Sequence, residues 1–489
     1  MSLFGENLRT LIDVNKTNIY ALAKASGIER TAIHKIISGD RIPSEEYVNK
    51  LADVLPLSPE ERQQLLESYN ISKIGELKYR QRIQVKELIE SIAYIENGIK
   101  VNTSPADVAN PMPLFDSNTT AIGHFAVNNL IKSVIEDTLS EGGKQGGKQE
   151  LDFFIPESYG YFYNELLASY LRHPQMQIRH IMAFAKKTDF INHTNRNLSL
   201  LSHVLPFAFA PGTGYFPYYY YRTSHDVEMT QAMPYFILTS RGKLVLINRD
   251  FSKAAFICDA DIVALHKESF DTMLEQANPL IEQLNSAVDF FVYYKEIVSV
   301  PDLPVYWIEP EPCISLVITD ELIDEYLKQD IPDRDGILNL ICKHCDYYRN
   351  NQFHIINICT TDGLYRIINT GYLYNIHSEL MNPLSRETTK QLLNILKTKS
   401  EKEKENVNVI FTNPSKITVP GKTCLSISRK AGVNFIMNSK ALTSGRAICI
   451  LEDSIDEAFW DFAESLEESG ITCSASDSLG MLSSIIDEL

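Results

Sequence analysis

Three stretches of this sequence hold residues whose types and spacing could do chemistry. Cys342-Lys-His-Cys345 has the spacing of half a zinc site or of a redox pair. A zinc site needs a second pair, and His354 and Cys359 follow at spacings that match no common site. The helical context over 337–348 predicts two packed thiols. Ser224, His225 and Asp226 are consecutive, whereas hydrolytic triads are assembled across a fold. Tyr215-Phe-Pro-Tyr-Tyr-Tyr-Tyr-Arg222 concentrates rings that stack on flat ligands. Tyr218 and Tyr220, with Arg222 and His225 as polar partners, form a candidate pocket for a small-molecule or peptide effector. The plainer reading of the same stretch is a half-buried strand with tyrosine on both faces. There is no phosphate loop, no Gly-x-Gly-x-x-Gly and no Gly-x-Ser-x-Gly. The expectation is a protein without catalytic residues, metal or cofactor.

The elements that must position these residues follow from composition and periodicity. The chain has 489 residues, 44% hydrophobic and 22% charged, enough for several cores. No uninterrupted apolar run of about 18 residues predicts a membrane span. The start, Met1-Ser-Leu-Phe-Gly-Glu, lacks a basic segment followed by a long apolar one. With eight cysteines, none before Cys258, the expectation is a cytoplasmic protein with reduced, buried thiols. The net charge of -17 is unevenly placed: residues 1–100 hold 14 basic and 14 acidic residues, so the whole excess lies beyond them. An acidic body repels polyanions, so any binding to nucleic acid belongs to the first hundred residues.

Those residues show helical periodicity from the outset. Leu8, Leu11 and Ile12 share a face of a first helix over 6–15. A second covers 19–25, a third 30–38 with Ile33, Ile36 and Ile37 apolar, and Gly27 and Gly39 are placed to end these two. Ser44 caps a fourth helix to Leu55. Ser58-Pro-Glu-Glu61 is a capping box that opens a fifth, to about Tyr69.

Residues 5–70 resemble the helix-turn-helix of the phage repressor/Cro (XRE) family, through Leu22-Ala23, Gly27, Ile33, Gly39, Pro43 and Ser44. The resemblance implies that the third helix enters the major groove of double-stranded DNA. By position, Arg30, Thr31, His34 and Lys35 would meet base edges, and Lys24 and Arg41 phosphates. These are residue types that pair with guanine, with the thymine methyl or with backbone oxygens. Two positions depart from the family's pattern. Asn18 and Ile19 stand where it usually has a phosphate-contacting glutamine, and Glu29 puts an acid at the start of the third helix.

Residues 71–100 read as one connecting helix. Its stripe Val85, Leu88, Ile92 and Ile95 suits a dimer seam or packing on the next domain. Residues 101–118 read as a linker. From 119 the chain alternates strands and helices, giving an α/β body after an all-α five-helix domain. Residues 235–248 running on to Phe270 match 424–438 running on to Phe459, and 152–155 match 315–318. Two duplicated lobes, 119–298 and 302–489, are therefore expected. A tandem lobe of this kind vaguely resembles the phospholipase-D-like fold. No His-x-Lys triplet occurs, so that resemblance implies a non-catalytic sensor body. Together these readings describe a homodimeric, sequence-specific transcriptional regulator with a C-terminal sensor or assembly region. The alternatives are an enzyme, or an antitoxin-like interaction protein, that carries a helix-turn-helix for localisation.

Overall fold

The computed structural model describes residues 2–98, 117–140, 149–186, 193–222, 232–284, 304–350, 354–376, 378–402, 407–429, 431–437, 446–450 and 452–489. The chain forms two compact units, Met1–Gln84 and Val85–Leu489.

The first unit holds α1 (Leu3–Val14), α2 (Ile19–Ser26), α3 (Arg30–Ser38), α4 (Glu45–Val54) and α5 (Pro59–Ile74). Side-chain caps start most of them. Asn18 Oδ1 accepts from the Ala21 N–H at 2.9 Å, and Ser58 and Glu61 form the reciprocal capping box. The core is one apolar face from each helix, with Leu8, Ile33, Ile36, Val48, Leu51 and Leu65 fully enclosed. A Cβ on Gly5 would lie against the Ile37 carbonyl oxygen, so α1 rests directly on the end of α3. Phe4 meets the Tyr69 ring edge-on at 5.7 Å, fixing α1 to α5.

The connector differs from the expected single helix. The fifth helix runs on to Ile74, and a break at Gly75 (φ 87°) precedes α6 (Glu76–Glu96). From Val85 onward α6 is part of the second unit. Val85, Leu88 and Ile92 lie in its core, and Ile95 is half-buried. The apolar stripe is therefore covered by the body of the same chain rather than left for a dimer seam. At the end of α6, Glu96 accepts the backbone N–H of Gly421 and of Lys422.

The body contains helices α7 (His124–Ser140), α8 (Gly160–Arg172), α9 (His193–Phe209) and α10 (Ala260–Glu275) in its first lobe, and two mixed sheets. The first is built from β1 (Thr119–Ile122), β2 (Glu150–Phe154), β3 (Gln177–Ala185), β4 (Tyr215–Arg222), β5 (Tyr235–Thr239), β6 (Lys243–Ile247), β7 (Lys253–Ile257) and β8 (Asn278–Pro279), in the order β1-β7-β6-β5-β2-β3-β4-β8. The second uses β9 (Ile281–Leu284), β10 (Val305–Ile308), β11 (Ile355–Cys359), β12 (Val407–Phe411), β13 (Thr423–Ser428), β14 (Gly432–Met437) and β15 (Arg446–Ile450), in the order β12-β11-β10-β13-β14-β15-β9. The second order reproduces the first strand for strand from β1 to β4. The directions agree too: three parallel neighbours (β2, β3, β4; β10, β11, β12), then antiparallel strands out to the far edge. The lobes are topological copies. Phe270 and Phe459, the paired landmarks of the repeat, are both fully buried in the corresponding helices α10 (Ala260–Glu275) and Asp453–Glu464.

Two details of the expected repeat are corrected. The counterpart of β2 is β10, not 315–318. Ile314–Leu316 is a 3-10 turn, in which the Val317 N–H donates to the Ile314 carbonyl at 3.0 Å. Pro310 and Pro312 precede it and interrupt strand pairing. The boundary between lobes also falls earlier than 298. The Leu280 N–H bonds the Pro217 carbonyl beside the first sheet, and β9, one residue later, pairs with β15 in the second. The segments 101–116 and 141–148 lie outside the described residues.

The two lobes share one core. Leu151, Phe153 and Ile178 of the first sheet join Ile308, Leu425 and Phe435 of the second, with α6, α9 (His193–Phe209) and helix Asp453–Glu464 packed among them. The far face of each sheet has its own cluster, Ile181, Leu238 and Phe270 in one lobe and Leu364, Ile367 and Leu393 in the other. A methyl group at Gly5 forces α1 off α3, whereas one at Gly480, a helical glycine with open space around it, meets nothing. Gly5→Ala is expected to cost about 1–3 kcal/mol in the first unit. Gly480→Ala is expected to add about 0.5–1 kcal/mol of stability. Thermal unfolding followed by circular dichroism separates the two outcomes.

Candidate functional site

The third helix of the first unit is divided cleanly between core and solvent. Ala32, Ile33, Ile36 and Ile37 are buried; Arg30, Thr31, His34 and Lys35 are exposed. The division follows from the 3.6-residue period. Positions 30, 31, 34 and 35 share the face opposite the apolar ridge that packs on α1 and α2. Gly27, at φ 69°, supplies the left-handed turn between α2 and α3, and Gly39, at φ 85°, ends α3. Lys24 and Arg41 are exposed as well. Among the described residues, Arg30, Lys35 and Lys24 make no ion pair. Arg41 lies over the Tyr47 ring at 5.6 Å, a support that the sequence pattern did not single out.

The two departures from the family's pattern have structural roles. Asn18, in place of glutamine, caps α2. Glu29 occupies the N-cap position of α3 without a side-chain cap bond, and its carboxylate accepts from the Thr31 hydroxyl at 3.5 Å. Tyr20, in the first turn of α2, is 66% exposed and is a further ring on this unit's surface.

In the body, β4 places tyrosines on both faces of the first sheet. Tyr215 and Tyr219 enter the shared core, while Tyr218 and Tyr220 pack on the opposite face with Ile181 and Phe270. Tyr220 lines a cleft of about 750 Å³, together with Phe154, Lys186, Tyr221, Phe236 and His266. Tyr218 is not among the lining residues. His225 and the side chain of Arg222 lie outside the described residues, as do Ser224 and Asp226. The polar groups of the described residues that line the cleft come instead from Lys186 after β3, from His266 and Ser269 on α10, and from Gln276 and Asn278 beyond it. No local motif signals them, because β3 and α10 meet only when the sheet forms.

At the same strand ends of the second lobe the chemistry is inverted. Glu309 and Glu311, just after β10, are both buried. Glu309 accepts from Asn357 Nδ2 and the Tyr374 hydroxyl; Glu311 accepts from the Tyr374 backbone N–H and from Arg366. Burial pushes Glu309 up to about 8 and Glu311 up to about 7, the latter against the opposing pull of Arg366. The Cys342–Cys345 pair is helical, on Arg334–Asn350. Burial pushes Cys342 up to about 11 and Cys345 up to about 12, so neither is a thiolate at neutral pH. Among the described residues no group of three or more His, Cys, Asp or Glu side chains is placed to hold a metal ion. No described helix is long and apolar enough to cross a membrane.

Comparison with known proteins bears on the first unit. A helix-turn-helix family model matches residues 14–62, from the end of α1 into α5. The N-terminal unit is a helix-turn-helix domain. No curated protein matches the chain. Among solved structures the chain is similar to TrmBL2, described as an archaeal chromatin protein with a novel mode of DNA binding. That likeness has 12% identity and a TM-score of 0.21, over 46% of this chain and 72% of that one. It is also similar to the polyphosphate kinase of Porphyromonas gingivalis, at 9% identity and a TM-score of 0.22, over 71% of this chain and 50% of that one. At such scores neither likeness carries weight for fold or function. Nothing in these comparisons supports the phospholipase-D-like resemblance of the body.

The buried acids give the body a pH dependence whose sign is fixed. Their protonated forms are favoured in the fold, so between about pH 4.3, the unfolded value, and about 8 the folded state binds more protons. Stability is greatest at the acid end of that window and falls as pH rises through it. Urea unfolding between pH 5 and 8 is expected to show this decline, and Glu309→Gln, which keeps the shape without the charge, is expected to flatten it.

Proposed function

We propose that this protein is a sequence-specific DNA-binding transcriptional regulator. In this reading the helix-turn-helix domain docks α3 in the major groove, and the body senses an effector or assembles the protein. One observation carries it: four side chains able to address base edges stand exposed on one face of a helix whose other face is wholly buried. The charge distribution agrees. The first hundred residues are neutral and the remainder is acidic, so the phosphate backbone is met by the one region that does not repel it.

Within this reading Arg30 and Lys35 donate to base edges, His34 and Thr31 complete the reading face, and Lys24 and Arg41 contact phosphates. Thr31 leaves Glu29 when it meets DNA. The regulator binds as a homodimer on two half-sites about one helical turn apart. Because α6 buries Val85, Leu88 and Ile92 within its own body, that dimer pairs through other surfaces. The reading gives the protein no catalytic step, and it places the protein in the cytoplasm with DNA.

Binding to the protein's own upstream region, against a scrambled fragment over a salt series, tests the proposal. Arg30→Ala is expected to cost about 1–3 kcal/mol and to relax preference at one base position. Lys24→Ala is expected to weaken both fragments alike and to lower the salt slope by about 1. Equal binding to both fragments by the unaltered protein would refute the reading.

A further inference from the structure

The cleft of the first lobe sits at the carboxyl ends of the parallel strands β2, β3 and β4, where open α/β sheets present ligands. Its volume, about 750 Å³, is that of a small-molecule site. One wall is aromatic. Phe154 lies 6.2 Å from Phe236 and 6.4 Å from Tyr220 between ring centres, both tilted by about a third of a right angle. Leu246 and Met273 extend that apolar surface. Such a wall accepts a flat ring system.

The charge of the lining is the second observation. The body carries the whole acidic excess of this protein, yet among the described residues no aspartate or glutamate lines the cleft. The ionisable groups among its described lining residues are Lys186, His266 and the tyrosine hydroxyls. Neither Lys186 nor His266 makes an ion pair with any described residue. The residue that follows His266 on α10 shows the contrast. Lys267 is held by Asp152 at 2.5 Å and by Asp271 at 3.4 Å, and Arg179 holds Asp152 through two bonds of 2.7 Å. Asp152 and Asp271 are thus held by Lys267 and Arg179, whereas Lys186 is held by no described acid.

We infer that this cleft binds a planar aromatic anion of metabolite size, its ring on the Phe154–Phe236–Tyr220 wall and its carboxylate or phosphate against Lys186 and His266. Ser269 and Asn278 line the same cleft and add neutral hydrogen-bonding groups. Tyr221 also lines it, and its hydroxyl donates to Glu452 of the second lobe at 2.7 Å. An occupant that displaces the Tyr221 ring therefore disturbs a contact between lobes. As a route to regulation this deepens the sensor reading of the body. Binding itself is measured without DNA, so failure of one leaves the other standing.

The test is fluorescence titration of the full-length protein with 1-anilinonaphthalene-8-sulfonate. N-phenyl-1-naphthylamine, which has the same rings without the charge, is the comparator. The sulfonate probe is expected to bind at one equivalent. The double variant Lys186→Gln/His266→Gln is expected to weaken it about tenfold or more while leaving the neutral probe within about twofold, as loss of a charge-assisted bond requires. Tyr220→Ala is expected to weaken both probes. Displacement by salicylate but not adenosine monophosphate assigns a carboxylate ligand, and the reverse a phosphate. Binding at several equivalents, equal loss of both probes in the double variant, insensitivity to all of these substitutions, or displacement by neither competitor would overturn the inference.

Discussion

A short chain of buried hydrogen bonds between the lobes is the constraint on which the body depends. Asn197, fully enclosed on α9, accepts the Ala185 N–H at the end of β3 and donates to the Ser454 hydroxyl at 2.9 Å. Ser454 donates to Glu452, which also caps helix Asp453–Glu464 through the Ile455 N–H and accepts from the Tyr221 hydroxyl. The chain begins on β3 and returns to β4 of the same sheet after passing through the other lobe. Its inner members, Asn197, Ser454 and Glu452, are buried, and an unpaired polar group there costs about 1–3 kcal/mol. Sliding one lobe over the other would orphan several such groups at once. The apolar core supplies attraction without direction, and these bonds set the register.

Given that register, the two topologically matching lobes differ at corresponding places. Both lobes present the carboxyl ends of three parallel strands. In the first, those ends open onto an aromatic cleft whose Lys186 and His266 make no ion pair with a described residue. In the second, they are closed by two buried glutamates bonded to Asn357, Tyr374 and Arg366. Gly363 permits the closure, since any Cβ there would collide with the Pro310 carbonyl. One lobe has a cleft at these strand ends and the other has packed side chains, although both share the same strand order.

The first unit works by a simpler rule. Its third helix has one face buried and one exposed, and nothing in the unit neutralises Arg30, Lys35 or Lys24. The cost of leaving cations in water is small, whereas burying any of them would be prohibitive. A helix of nine residues thereby presents one fully exposed polar face with no special backbone beyond the two left-handed glycines that bound it.

The sequence by itself determined the helix-turn-helix. Its caps, glycine turns and 3.6-residue apolar period are local, and local interactions lie within a few residues of one another. It also pointed to two lobes of like layout, because hairpin and helix signals recur as short segments around Phe270 and Phe459. Tertiary structure decided the rest. The stripe of α6 reads equally well as a dimer seam or a core face, and only the presence of two sheets around it made it core. Residues 315–318 read as a strand from composition, but the prolines before them and the pairing of Val305–Ile308 with both neighbours excluded that. The tyrosines of β4 were visible, but the side chains that give their cleft its charge were not. Lys186 and His266 come from elements far apart in sequence, and a pocket formed by long-range contact leaves no periodic trace in the chain.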